Sequence, residues 1–361
     1  LNLLNLLTNL ICLSMVEPNF FGPKKPIDGL AVVWKTLAGF LLAVVAIMVA
    51  FLFHRLQLPK ELQEASLVFE KIENVSDQEV YAGGDAVVAP IEPIKAPMPK
   101  LIGELLSAEE FNAESIIVKD HATGFVLYKK NEYSKRSIAS ITKLMSALVL
   151  LEKNPLWSLK TSVIGGDSLD THMYAGDTYT LDELWYAALV GSSNKAILSL
   201  ANALNWSMEA FVERMNQKAI ELGMLDTIFV EPTGLDENNK STASDLVILL
   251  KEALKQEKIY EALLTPEYNL YSAERKKKHH MWNTNWLLLG WIQNDFNKIF
   301  GGKTGYIGVA GYSFAVQLSD KNEHIIEVVI LGTDEHETRF TEAKKAAEMV
   351  FANYQWPEPA P

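Results

Sequence analysis

From residue 112 onward the apolar positions fall into regular patterns. SIIVKD (115–120) and FVLYKK (125–130) flank the turn HATG, with Gly124 suited to the bend, and read as a β-hairpin. AGYSFAVQLS (310–319) and HIIEVVILGT (324–333), joined by DKNE, read as a second hairpin. Between the two the period is helical. In ITKLMSALVLLE (141–152), Ile141, Leu144, Met145 and Leu148 follow i, i+3, i+4, i+7. TLDELWYAALV (180–190) opens on a capping box, Thr180-x-x-Glu183, and carries Leu184, Trp185, Ala188 and Leu189 on one face. MEAFVERMNQKAIELG (208–223) ends at Gly223, a cap residue, SDLVILLKEAL (244–254) is a further helix, and 335–354 a last one. Strands at both ends with helices between predict one α+β domain, 111–356, whose antiparallel sheet is closed by segments far apart in sequence.

The amino-terminal third is patterned differently. Residues 37–53, LAGFLLAVVAIMVAFLF, carry no charge, and the run reaches back to Gly29 with Lys35 and Thr36 interrupting it. It lacks the polar face of an amphipathic core helix and is long enough for a bilayer core, which takes about 20 residues as a helix. It ends in Phe51-Leu52-Phe53-His54-Arg55, a poor signal-peptide cleavage site, so the expectation is an uncleaved transmembrane signal anchor at 29–53. Lys24, Lys25 and Lys35 before the span against Arg55 and Lys60 after it give a slight bias towards a cytoplasmic segment 1–28, with the bulk of the chain outside the cell membrane. Residues 1–14 are read as a start-site artefact, with Met15 as the candidate start. Residues 54–110 show no sustained period, and GGDAVVAPIEPIKAPMP (83–99) favours extended chain, so this stretch is expected to be a linker. About 45 flexible residues reach roughly 35–40 Å, enough to hold a domain clear of a membrane.

Composition narrows the chemistry. The chain has 361 residues, 48% hydrophobic and 22% charged, with a formal net charge of −12. That acidity disfavours nucleic acid as a partner, since phosphate binding needs a basic footprint. With one cysteine, Cys12, no intrachain disulfide and no cysteine-rich metal site is possible. The adjacent pair His279–His280 points in different directions in any regular element, so no metal site is expected.

Three short motifs carry candidate chemistry. Ser140-Ile141-Thr142-Lys143 opens the apolar helix, where residues three apart share a face and the free N–H groups and positive dipole end suit a nucleophile that generates an oxyanion. Burial of Lys143 would lower its pKa and make it usable as a base. The pattern S-x-x-K alone is weak, because it recurs at Ser192-Ser193-Asn194-Lys195, and any one occurrence is more often a helix cap beside a solvated lysine. Ser192-Ser193-Asn194 taken alone is a loop between helices. Lys303-Thr304-Gly305, inside FGGKTGYIGVAGYSF, taken alone is a turn leading into a strand, although Lys and Thr there suit a carboxylate.

The three motifs occur in the order known for penicillin-binding proteins and class A β-lactamases, with Ser193 in the middle place of the second. With SIASITKLMSALVLLE, GDTYTLDELWYAALVGSSNKA, FVEPTGLDENNKSTASDL, HHMWNTNWLL and GGKTGYIGVAGYSF, the chain resembles the serine-type D-alanyl-D-alanine carboxypeptidases, the low-molecular-weight penicillin-binding proteins, over about residues 112–350. The resemblance implies the penicillin-binding/β-lactamase-like transpeptidase fold. It implies Ser140 as the acylated nucleophile, Lys143 as its base and Ser192 as the proton relay to the leaving D-alanine. Asn194 would orient the substrate amide and Lys143, Lys303 and Thr304 would hold the terminal carboxylate, and the N–H groups of Ser140 and Tyr306, which follows Gly305, would form the oxyanion hole.

The implied activity is removal of the last D-alanine from peptidoglycan stem peptides, with β-lactam antibiotics as inhibitors and no metal or organic cofactor. A D,D-endopeptidase, a β-lactamase and a non-catalytic wall-binding protein on the same fold are the alternatives. Two departures stand out: Lys195 occupies a place where family members often have Asp, and the chain ends in WPEPAP without the second, all-β domain of some relatives.

Overall fold

The computed structural model describes residues 97–166 and 170–357. The transmembrane expectation at 29–53 and most of the linker lie outside the described residues. Among the described residues, no helix is long and apolar enough to cross a membrane.

Five strands form the central sheet: β1 (Ser115–Asp120), β2 (Val126–Lys130), β3 (Lys298–Ile307), β4 (Gly311–Ser319) and β5 (Ile325–Thr333). Their order is β3-β4-β5-β1-β2, antiparallel throughout. The register β5–β1, with Val329 opposite Ile117, joins the two hairpins that the period-2 pattern predicts and closes the sheet across some 200 residues of sequence. Gly124 takes φ +70° in the β1–β2 turn, where its N–H donates to the Asp120 carbonyl at 2.9 Å.

Seven helices of eight or more residues are described: α1 (Thr142–Glu152), α2 (Leu181–Leu189), α3 (Asn194–Asn202), α4 (Met208–Glu221), α5 (Ala243–Leu254), α6 (Glu257–Leu264) and α7 (Thr338–Asn353). Side chains alternate across the sheet. Ile116, Val118, Phe314, Val328 and Ile330 join Phe340, Ala343, Ala347 and Val350 of α7 in one core. Ile117, Ala315, Val329 and Leu331 face the other core, built by α1 to α6. α1 shows more than its period suggests. Thr142 to Leu150 are all buried, so it is a central helix wrapped on every side and not an amphipathic surface helix.

Helix ends follow the chemistry of their sequences. Thr180 Oγ1 accepts from the Glu183 N–H at 3.2 Å while the Glu183 carboxylate accepts from the Thr180 N–H at 2.8 Å, the reciprocal box expected for α2. At the end of α4, Gly223 takes φ +79°, and the Met224 N–H reaches back to the Ala219 carbonyl at 2.8 Å.

Some elements carry no clear periodic signal. α3 and α6 are only 9 and 8 residues long, and neither opens on a capping box like the one that marks α2, itself 9 residues. The hairpin Glu267–Ser272/Lys277–Trp282 turns at Lys276 with φ +52° in place of a glycine. The glycine-rich segment around Lys303, which in isolation reads as a turn, runs inside the ten-residue strand β3, with a bulge between Ile299 and Gly301 taking up the irregularity. Residues 100–110, at the end of the expected linker, already belong to the domain: Lys100–Leu101 pairs with Tyr354–Gln355 beyond α7.

Candidate active site

Ser140 lies in the one-turn 3₁₀ helix Ala139–Ile141 that runs straight into α1. The preceding Ala139 holds φ +46°, a left-handed conformation that costs a residue with a Cβ about 1–2 kcal/mol. Two glycines clamp the turn. A Cβ on Gly234 would fall 1.9 Å from the Ala139 carbonyl oxygen, and one on Gly305 of β3 would fall 2.6 Å from that of Ile138. The glycine of the third motif is therefore needed where the edge strand passes against the Ser140 turn.

Because Ser140 and Lys143 both sit within helical turns, their spacing of three brings them together. Lys143 Nζ donates to Ser140 Oγ at 2.8 Å, to Asn194 Oδ1 at 2.6 Å and to the Thr233 carbonyl at 2.7 Å. The Lys143 side chain is fully buried, and Ser140 is half-buried. The carbonyl of Thr233 is placed by a loop built on Glu231. The Glu231 carboxylate accepts from the N–H groups of Thr233 and Gly234 and from Asn239 Nδ2.

The second motif follows a different local rule. Gly191 packs where a Cβ would meet Met281 Sδ at 2.6 Å. Ser192 then takes φ +59° outside any helix, and Ser193 caps α3 by accepting from the Ala196 N–H at 3.1 Å. Asp170 anchors this corner: its Oδ2 accepts from Ser193 Oγ at 2.5 Å and from the Lys195 N–H at 2.9 Å. Lys195 Nζ turns back to the carbonyls of Asp170 (2.7 Å) and Met173 (3.1 Å). The lysine that departs from the family pattern thus spends its donors on carbonyls of the 170–173 segment.

Lys303 completes the cleft. It is fully buried, and its Nζ donates to Ser192 Oγ at 2.7 Å and to the Thr304 carbonyl at 3.1 Å. Burial, then the charges of Lys143 and Arg339, push its pKa well below the ordinary lysine value. Thr304, on the opposite face of β3, donates through Oγ1 to Thr284 Oγ1 at 2.8 Å. Arg339 of α7 lies behind the strand, 4% exposed, and donates to the Gly305 carbonyl at 3.3 Å. Burial lowers its pKa to about 10. Among the described residues no carboxylate pairs with Lys303 or Arg339, so these two side chains are the places where a chain of net charge −12 can offer positive charge to an anionic substrate group. Tyr306 projects into solvent and stacks on Tyr312, ring centroids 4.1 Å apart. A cavity of about 390 Å³, lined among others by Ser192, Asn194, Leu235 and Tyr306, opens here.

Of the residues singled out from the sequence, Ser140, Lys143 and Asn194 are joined by hydrogen bonds, Ser192 is joined to Lys303, and Ser192, Asn194 and Tyr306 line one cavity; Gly305 packs behind the Ser140 turn, and Thr304 turns its hydroxyl to Thr284. The sequence profile of the D-alanyl-D-alanine carboxypeptidases matches residues 103–334, which contain all of them. The chain belongs to that family of serine hydrolases. It is 32% identical over 265 residues to a D-alanyl-D-alanine carboxypeptidase of Bacillus subtilis, covering 70% of this chain and 66% of that one, so it spans just under two thirds of that relative's length. It is 33% identical over 257 residues to a D-alanyl-D-alanine endopeptidase of Pseudomonas aeruginosa, covering 69% of this chain and 80% of that one. Among solved structures it is similar to penicillin-binding protein D2 of Listeria monocytogenes in its cefotaxime-bound form, with 28% identity, a TM-score of 0.57 and coverage of 67% and 98%. The transpeptidase-type fold implied by the three motifs is the fold found.

Sequence reasoning missed four contributors. Asp170 and Arg339 reach the site through tertiary contacts and carry no local signal, and the Thr233 carbonyl lies in FVEPTGLDENNKSTASDL, marked by the resemblance, without its partner Lys143 being readable there. Thr284 lies in HHMWNTNWLL, a segment marked by the resemblance, but its partner Thr304 is not readable from that segment.

Proposed function

We propose that this chain is a membrane-anchored serine D-alanyl-D-alanine carboxypeptidase. It removes the terminal D-alanine of peptidoglycan stem peptides through an acyl-enzyme on Ser140, and β-lactams acylate the same serine. The observation that carries the reading is the 2.8 Å contact from Lys143 Nζ to Ser140 Oγ beside the second contact, Lys303 to Ser192, at 2.7 Å. Lys143 acts in its amine form, with one of the three Nζ protons that donate in the resting site given up; the lone pair then facing Ser140 takes the serine proton as the oxygen attacks the carbonyl carbon between the two D-alanines. The oxyanion is received by the N–H groups of Ser140 and Tyr306, on segments that Gly305 allows to touch. Ser192 Oγ accepts from Lys303, which leaves the Ser192 hydroxyl proton for the departing amine as the C–N bond breaks, and the proton that Lys143 took from Ser140 replaces it on Ser192. Water then releases the acyl group from Ser140. Lys303 holds the substrate carboxylate, joined by Thr304 as its hydroxyl turns from Thr284 to the substrate, with Arg339 adding positive potential from behind.

A D,D-endopeptidase is the second reading, favoured by the relative from Pseudomonas aeruginosa that bears that name. The chemistry at Ser140 is the same, and only the leaving amine differs. A β-lactamase needs a carboxylate free to activate water, whereas the Glu231 carboxylate is occupied by its own loop. The apolar run 29–53 supplies the anchor and the linker the reach that holds the domain outside the cell membrane. Labelling with fluorescent penicillin tests the enzyme: acylation of the full chain is expected, and equal labelling after Ser140→Ala would overturn the assignment. Mass spectrometry of digested muropeptides separates the two peptidase readings, by release of D-alanine against cleavage of crosslinks. Protease accessibility in intact cells tests the outward orientation.

A further inference from the structure

Aromatic rings form a connected band from the cleft across the face of the domain that carries α7. Tyr306 stacks on Tyr312 at 4.1 Å, and Tyr312 meets His336 at 5.6 Å. His336 lies 4.5 Å from Trp286, which meets Trp291 at 5.4 Å, and Trp291 meets Trp282 at 5.7 Å. None of the six is buried, and Tyr306, Trp282 and Trp291 are 52%, 48% and 50% exposed. Half-exposed tryptophans in contact are costly to leave in water, and a contiguous aromatic surface marks a binding site. Beside Trp291 runs a groove of about 390 Å³, lined by Gln293, Glu337, Thr341 and Lys344 among others.

We infer that this band, from Tyr306 to Trp291 and Trp282, is a docking track for a glycan strand of N-acetylated amino sugars. The inference rests on the peptidoglycan reading above and extends it from the stem peptide to the polymer that carries it. The chemistry matches on both counts. The C–H faces of a pyranose are slightly positive and lie well against the negative faces of aromatic rings. The hydroxyl and acetamido groups at the sugar's rim need donors and acceptors, which the groove beside Trp291 supplies. The scale also fits. A stem of about five residues spans at most roughly 17 Å when extended, and the rings leave the cleft at Tyr306 in steps of 5.7 Å or less. An anionic lipid surface is disfavoured, because the groove balances Lys344 and Lys345 with Glu337 and Glu348 and so offers it no net positive charge, and Glu267 pairs across from Trp282. Burial and the Arg339 charge lower the pKa of His336, which favours the neutral ring in the middle of the band.

The test uses the full chain in detergent, unmodified and as Trp282→Ala/Trp291→Ala. A tetramer of β-1,4-linked N-acetylglucosamine is titrated against tryptophan fluorescence, and co-sedimentation with purified sacculi is measured in parallel. The unmodified protein is expected to show a saturable fluorescence change and to sediment. The double variant is expected to bind about tenfold more weakly, with Trp282→Tyr/Trp291→Tyr restoring most of the affinity. Fluorescent penicillin should label the double variant as it labels the parent, which shows that it is folded and keeps the catalytic reading separate. No fluorescence change in the unmodified protein, or equal binding by parent and double variant, overturns the inference. So does a variant that loses affinity for phosphatidylglycerol vesicles and not for the glycan. Glycan binding without any penicillin labelling of the parent would uphold the track while removing the enzyme assignment.

Discussion

The two S-x-x-K segments of this chain share a pattern and end in opposite arrangements. In Ser140–Lys143 both residues lie in helical turns, and the ammonium returns to the serine at 2.8 Å. In Ser192–Lys195 the helix begins only at Asn194, and Ser192 sits at φ +59°. Its lysine leaves for the Asp170 and Met173 carbonyls, and its serine finds a lysine from another element, Lys303, at 2.7 Å. A spacing of three puts two side chains together only where both belong to the helix. Where the serine precedes the cap, the same spacing releases it to a tertiary partner. In the proposed mechanism the first pair serves as nucleophile and base through local geometry, and the second as half of a relay whose other half lies on β3.

The largest expected difference between the segments follows from this. Lys143→Met should slow acylation by penicillin by about 10²–10⁴-fold, whereas Lys195→Met should leave it nearly unchanged. Lys195→Met should instead lower stability by about 1–3 kcal/mol, because two carbonyls lose a buried charged donor, and thermal unfolding would show it. Equal acylation rates for the two variants would break the comparison.

Gly305→Ala tests whether the first pair depends on the edge strand. A Cβ 2.6 Å from the Ile138 carbonyl must push β3 off the nucleophile turn, and a displacement near 1 Å should slow acylation about 10²-fold with little change in melting temperature.

The second serine's partner sets a pH signature. Lys303 has its pKa lowered chiefly by burial, so it loses its proton at a pH below the ordinary value of 10.5. As pH rises through that range, KM should increase for a substrate with a free carboxylate and stay level for its amide. The unfolded chain binds more protons than the folded one in that window, so this lysine makes folding more favourable as pH rises, and unfolding cannot account for the loss. An identical rise for the amide would detach Lys303 from carboxylate binding.

The smallest effect lies in the caps. Thr180→Ala and Ser193→Ala each remove a cap hydroxyl and should each cost about 1 kcal/mol. Only Ser193→Ala should also slow acylation, since Ser193 ties the turn holding Ser192 and Asn194 to Asp170. Equal kinetics for the two variants would reduce Ser193 to a simple cap.

Much of this was legible in the residues themselves. Both flanking hairpins, α1, α2, α4, α5 and α7 follow from hydrophobic period and end signals, because a sheet or helix with one buried face must repeat apolar residues at its own geometric period. The capping box at Thr180 and the turn glycines are local chemistry and appear where the sequence puts them. α3, α6 and the hairpin ending at Trp282 were not legible, since the two helices are short and open on no capping box and the hairpin turns on a lysine at positive φ. The glycines around Lys303 suggested a turn because their causes are tertiary contacts: the Ile138 carbonyl against Gly305, Leu254 and Leu263 against Gly301, and the Ala315 carbonyl of the next strand against Gly302.

The sequence by itself determined the local terms: which stretches are helical, where the turns fall, and that a serine and a lysine at 140 and 143 meet on one helical face. It also determined the chemical inventory of the cleft, because hydroxyls, amines and a carboxamide are properties of residues. The tertiary structure alone decided which lysine serves which serine, that Lys195 turns away, and that Arg339 stands behind Gly305. It alone decided that aromatic rings from β3, β4, α7's approach and the segment 282–291 line up on one surface. Those outcomes depend on packing between distant segments, where burial and close contact select one partner among many that spacing along the chain leaves equally available.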